Sequence, residues 1–129
     1  MSLSKRRGRI IGSGSGRVDR REKFHPVVVL TTAGSPSEAK KLSRVLLKEK
    51  AAACVNIIPR VDSEYWWEGK IARGKETLLL IKTQKSALKT LSKTLKKHHS
   101  YTLAELIALD VCWTDPSYLN WLRQNIESH

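Results

Sequence analysis

The stretch from Ala53 to Thr83 constrains the fold more than any other part of the chain. It lies between two amphipathic helical patterns, yet nearly all of it reads as extended chain. Ala53–Ile58 is an apolar, β-branched run, 62–67 carries three aromatics, and Glu76–Thr83 returns to a buried-strand pattern. Pro59 has no N–H for a ladder, so a bulge or an edge position is expected there. Glu68-Gly69-Lys70 reads as a turn, and Arg73-Gly74-Lys75 as a second irregular point. Two such strands make a hairpin, and it exceeds the usual strand length of roughly 5–6 residues. A hairpin of that reach with exposed aromatics needs a partner to cover it.

The flanking segments complete the order. Val27–Thr32 is a β-branched run suited to a buried strand. Ser35-Pro36-Ser37-Glu38 then places an N-cap, a proline at N1 and a capping-box glutamate at N3. Ala39, Leu42, Val45 and Leu46 form one face of the helix that follows, which should end near Lys50. Ser86–His98 repeats the pattern with Leu88, Leu91 and Leu95. Leu103–Trp113 reads as a fourth strand, and Asp115-Pro116 opens a last helix with Leu119, Leu122 and Ile126 on its apolar face. The predicted class is α+β. The predicted layout is a ferredoxin-like βαββαβ sandwich with an extra C-terminal helix, its strands ordered 4-1-3-2 and its helices on one face. That layout puts Cys54 and Cys112 at opposite sheet edges, too far apart for a disulfide. Both sit in apolar runs and read as buried, reduced thiols, which suits a cytosolic setting.

Residues 1–25 differ from the rest. Residues 1–26 hold eight of the 24 basic residues against two of the 12 acids, so half of the +12 net charge sits on a fifth of the chain. Gly12-Ser13-Gly14-Ser15-Gly16 has a flexible-linker composition, and a disordered basic tail is expected up to residue 25, with the domain proper at 26–129. Three origins fit such a tail: an expression or fusion segment, an organelle transit peptide, or a natural basic arm. The transit reading would make the protein organellar rather than cytoplasmic. No apolar run is long enough for a membrane span.

His98, His99 and Glu105 are the cluster with metal-ligand chemistry, since imidazole and carboxylate suit Cu(II) or Zn(II). Adjacent histidines on a helix point about 100° apart, so one ion reaches both only where the helix unwinds. The competing reading is that they cap the negative end of the helix. Tyr65, Trp66 and Trp67 alternate across a strand, so they cannot form one base-stacking platform, and Thr77–Ile81 is aliphatic but for its first residue. No sequence-specific nucleic-acid reader is expected. Glu68, Lys70 and Lys82 can line an inter-subunit cleft or form interface ion pairs. No catalytic triad, phosphate-binding loop or Cys-x-x-Cys pair is present, so no enzyme is expected.

The motifs Ala53-Cys54-Val55-Asn56-Ile57-Ile58-Pro59, Tyr65-Trp66-Trp67-Glu68-Gly69-Lys70, Glu76 with Ile81-Lys82-Thr83, Glu105-Leu106-Ile107-Ala108-Leu109 and Tyr118-Leu119-Asn120-Trp121 stand in one order. Together they resemble the CutA divalent-cation tolerance proteins from Pro26 to about Glu127. The resemblance implies a homotrimer whose long hairpins cross subunit boundaries at Tyr65, Trp66, Trp67, Glu68 and Lys82. It also implies a link to copper tolerance, weak binding of Cu(II) or another divalent ion that the fold does not require, and no general catalytic activity. In animals the family is linked to acetylcholinesterase anchoring. A copper site proposed for bacterial members aligns with Thr31, His98 and Glu105, where a hydroxyl replaces a thiol and is a poor ligand for a soft or borderline ion. The glycine usual after the strand-2 proline is Arg60, and the stretch His99–Glu105 lacks the family's prolines. Two other readings stand beside metal tolerance: a small-anion-binding signalling trimer, and a redesigned trimeric scaffold with no retained activity.

Overall fold

The structure is a computed structural model that describes residues 16–126, apart from residues 20 and 22. The elements are β1 (Pro26–Ala33), α1 (Pro36–Lys48), β2 (Cys54–Trp67), β3 (Lys70–Gln84), α2 (Leu88–His98), β4 (Ile107–Asp110) and α3 (Pro116–Asn125). A 3₁₀ turn at Lys85–Ala87 leads into α2. The sheet runs β2-β3-β1-β4 with every pairing antiparallel. This is the expected α+β, ferredoxin-like arrangement with its additional helix.

Strand alternation sorts the sheet into two faces. Val27, Val29 and Ala33 of β1 and Leu79 and Ile81 of β3 are buried against Leu42 and Leu46 of α1 and Leu91 and Leu95 of α2. A second, smaller core gathers Ala87, Leu122 and Ile126, with Phe24, Ala53, Tyr118 and Trp121 around them. Helix starts follow the capping residues. Ser35 Oγ accepts the Glu38 N–H at 3.1 Å, and Asp115 accepts the N–H groups of Ser117 and Tyr118. At the other end of α1, Lys50 takes a left-handed φ of 54°. That lets Ala51 N–H reach the Leu46 carbonyl and Lys50 N–H the Leu47 carbonyl, closing the helix in a Schellman pattern.

Both expectations at Pro59 hold. β2 is an edge strand, and its register with β3 shifts between Ile58 and Val61. Arg60 sits in this bulge at φ 62°, a left-handed conformation that glycine adopts without strain. The chain stays extended past the bulge to Trp67, and Glu68 (φ 50°) and Gly69 (φ 78°) make the two-residue turn. Both central residues at positive φ are the mark of a type I′ hairpin. The irregularity expected at Arg73-Gly74-Lys75 is absent. These residues pair with Glu64, Ser63 and Asp62, because the facing strand offers a ladder partner all along.

The fourth strand is shorter than the expected Leu103–Trp113. The β1 ladder begins at Ile107, and just before it the Thr31 hydroxyl donates to the Glu105 carbonyl at 2.6 Å. After Val111, whose N–H still reaches the Pro26 carbonyl, the chain meets the N-terminal segment. Val18 N–H donates to the Cys112 carbonyl and Thr114 N–H to the Gly16 carbonyl. Gly16 has φ 85°, and a Cβ there would lie 2.5 Å from the Thr114 oxygen, so no other residue fits without a shift. Residues 16–19 therefore lie along the domain, although the expected tail runs to residue 25. Phe24 packs on the second core with the Arg123 guanidinium 5.3 Å from its ring centre. The part of the expected tail before Gly16 lies outside the described residues. The cysteines are less buried than expected. Cys54 opens the edge strand and is half-buried, Cys112 lies beyond β4 and is exposed, and both are free thiols.

Candidate functional site

Two regions concentrate polar or unsatisfied chemistry. The first is a hydrogen-bonded cluster where the end of β1, the start of α1 and the α2–β4 connection meet. Glu38 is its hub. One carboxylate oxygen accepts the Gly34 N–H at 3.0 Å and the other the Ser100 N–H at 2.9 Å. Partial burial works against the charge of Glu38, but the hydrogen bonds from Ser100 and Gly34, with His99 nearby, outweigh it and hold the carboxyl below its ordinary value. His99 continues the cluster. Its Nδ1 accepts the Tyr101 N–H at 3.0 Å, so its Nε2 carries the proton and donates to the Thr32 carbonyl at 2.7 Å. The Tyr101 hydroxyl donates to Glu76 at 3.0 Å. Burial, then the bond to and charge of Glu76, push this phenol up to about 12. A Cβ at Gly34 would meet the Tyr101 hydroxyl at 3.4 Å, an ordinary contact, so the cluster packs closely on this backbone without requiring glycine.

This geometry bears directly on the expected metal ligands. Both nitrogens of His99 are occupied, so the ring has no lone pair for an ion. Thr31 is fully buried and its hydroxyl is spent on the Glu105 backbone. Glu105 is exposed, and His98 is half-buried and makes no hydrogen bond among the described residues. Among the described residues no three His, Cys, Asp or Glu side chains converge as metal ligands. The described donors of one chain thus do not fit an ion. His99 instead caps α2, its N–H bonded to the Leu95 carbonyl, and ties the helix end to β1. Glu38, Glu76 and Tyr101 form the cluster that sequence reasoning did not assemble. A capping box would turn Glu38 back to the Ser35 N–H; its carboxylate takes the preceding Gly34 N–H instead, and its bond to Ser100 spans 62 residues with no local pattern to encode it.

The second region is the sheet face that no helix covers. Directly opposed residues share a face in an antiparallel pair. Leu109 opposes Val28, Ile107 opposes Leu30, Leu30 opposes Leu80, and Leu78 opposes Ile58. Ile58, Ile107 and Leu109 are each about half exposed, at 41–50%. Lys82 stands on this face, and its ammonium donates to Asn56 of β2. Beyond it the hairpin arm carries Trp66 (73% exposed) opposite Ile71 (64%) on one side and Tyr65 and Trp67 on the other. Glu68 occupies the turn itself. An apolar patch running across four strands and out along an arm is more than a single folded chain ordinarily leaves open.

The comparisons with known proteins agree with this architecture. A family model for the CutA1 divalent ion tolerance protein matches residues 27–125. Protein CutA 1, chloroplastic, of Oryza sativa subsp. japonica is 40% identical over 114 residues, which are 88% of this chain. The chain spans only 64% of that relative's length. The divalent-cation tolerance protein CutA of Thermus thermophilus is 41% identical over 98 residues, 76% of this chain and 95% of the relative. The crystal structure of CutA1 from Oryza sativa superimposes with a TM-score of 0.79 at 38% identity, covering 84% of this chain and all of the other. With the fold, the long hairpin and a family match over nearly all of the described residues in agreement, the chain belongs to the CutA1 divalent ion tolerance family.

Proposed function

We propose that this protein is a non-catalytic, self-associating member of its family that acts in divalent-cation tolerance, copper above all, as a homotrimer. The observation that carries the reading is the uncovered apolar sheet face with its aromatic arm. A second and third copy of the same surface would cover it, and Tyr65, Trp66, Trp67, Glu68 and Lys82 would lie in the contacts. The relatives' names, which speak of divalent cations, supply the physiological context. Any ion contact is weak and rests on His98, the imidazole with no hydrogen bond among the described residues. A ligand from a neighbouring copy would have to complete it. Where that contact fails, the role in tolerance runs through partner proteins. The chloroplastic name of the rice relative supports an organellar setting for a chain whose first fifteen residues hold Lys5, Arg6, Arg7 and Arg9 and no acid. A cytoplasmic setting is the alternative.

Calorimetric titration of Cu(II) and Zn(II) tests the metal reading in the wild type, His98→Ala and His99→Ala. Weak saturable binding that is lost in His98→Ala and kept in His99→Ala supports it. Binding that survives His98→Ala overturns the assignment to His98. No binding in the wild type removes direct metal contact from the function.

A further inference from the structure

The helix layer faces away from the open sheet face, and its outer surface is almost entirely basic. On α1 the exposed side chains Lys40, Lys41, Arg44 and Lys48 line a shallow depression together with Ser37 and Val45. On α2, Lys89, Lys93, Lys96 and Lys97 are exposed on the side opposite the buried Leu91 and Leu95. The two helices pack against each other, so these eight cations share one surface. None of them takes part in an ion pair among the described residues. The acids of the layer are spent elsewhere. Glu38 is held by Gly34 and Ser100, and Glu49 accepts the Thr94 hydroxyl. Their two charges stand against eight cations, so the layer stays strongly positive.

We infer that this face binds the phosphate backbone of duplex nucleic acid without reading its sequence. The cations are spread along a helix of 13 residues, a length of about 20 Å, and do not converge on one point. A small anion would find no enclosed site among them. A polyanion with one charge per roughly 1.7 Å of axis offers each cation a partner. Arg44, which lines the depression, can take a phosphate through two parallel N–H bonds. Among the described residues the face carries no aromatic side chain, so it has no means of stacking unpaired bases. Leu47 is the sole large apolar side chain exposed on α1 or α2, too little for insertion into a bilayer. Both facts favour a duplex over single strands or a membrane. The opposite sheet face is independent of this surface, so association of copies would leave it outward and multiply it.

The test is fluorescence anisotropy of a labelled DNA duplex of about 30 base pairs and arbitrary sequence, titrated with the whole protein between about 50 and 200 mM salt. The variant Lys40→Gln/Lys41→Gln/Arg44→Gln/Lys48→Gln is compared with Lys5→Gln/Arg6→Gln/Arg7→Gln/Arg9→Gln, which removes the same charge from the N-terminal segment. The helix variant should bind at least tenfold more weakly, with its salt slope reduced by about 3–4. The N-terminal variant should lose less, and two unrelated duplex sequences should bind alike. Equal affinity and slope for the wild type and the helix variant would overturn the proposal. So would complete loss in the N-terminal variant, or tight binding to vesicles of anionic phosphatidylglycerol with none to duplex. A second measurement needs no variant: lysine acetylation of the unaltered protein, followed by mass spectrometry, should show duplex-dependent protection of Lys40, Lys41, Lys93 and Lys97. Unchanged labelling there would count equally against it.

Discussion

Glu38 and Tyr101 carry the most testable chemistry at the level of single residues. The Glu38 carboxyl is held below its ordinary value of 4.5, so its charged form stabilises the fold. That contribution is complete above the ordinary value and disappears as pH falls through the lower, folded one. Glu38→Gln should therefore cost about 1 kcal/mol at neutral pH, a figure discounted for its partial exposure. In urea unfolding the gap from the wild type should narrow as pH drops below 4.5. A gap that stays constant into acid would contradict the assigned hydrogen bonds. Tyr101 behaves in the opposite sense. Its phenol is raised from 10 to about 12, so the neutral form contributes stability below pH 10 that is lost as the pH rises through about 12. In an ultraviolet alkaline titration Tyr101 should contribute a late step, and Tyr101→Phe should remove it. Glu76→Gln should move it back toward 10. Local signals made half of this site legible. Ser35, Pro36 and Glu38 announced the start of α1 by spacing alone, and the bond of Ser35 is as expected. His99 looked like a ligand because residue type reveals chemistry and not occupancy. Only the fold brings Thr32 and the Tyr101 N–H to its two nitrogens.

Elements were read well where period and punctuation agree, and poorly where a neighbouring strand decides. α1 and α3 begin at the expected prolines, Pro36 and Pro116. β3 starts at Lys70 rather than Glu76, because Arg73-Gly74-Lys75 has turn-like composition but a complete ladder opposite. β4 is only four residues long, with the Thr31 hydroxyl on the Glu105 carbonyl before it and the Val18 N–H on the Cys112 carbonyl after it, contacts with no signature in residues 103–113. The hairpin turn makes its own prediction. Gly69 lies at φ 78° with no atom near an added Cβ, so conformation alone is at stake. Gly69→Ala should lower stability by about 1 kcal/mol. The drop should show as a lower thermal midpoint, with no change in the circular dichroism of the folded protein. A neutral result would mean that the arm does not need a type I′ turn.

For the molecule as a whole, the question is what covers the sheet. Light scattering of the intact protein should return about three times 14.6 kDa. Leu109 is exposed and opposes Val28, so Leu109→Glu would place a charge on the apolar face without disturbing the helix-side core. That variant should shift the mass toward a single chain, and a wild-type mass in the variant would place the contact elsewhere. The layout that one-sided helix cover creates has a further consequence for how such a chain can change over generations. The lysines and the apolar strands lie on opposite sides of one packed core. Substitutions on the two sides should then add rather than interfere. A lineage can thus recharge its outside, or neutralise it, while the open apolar face is inherited unaltered.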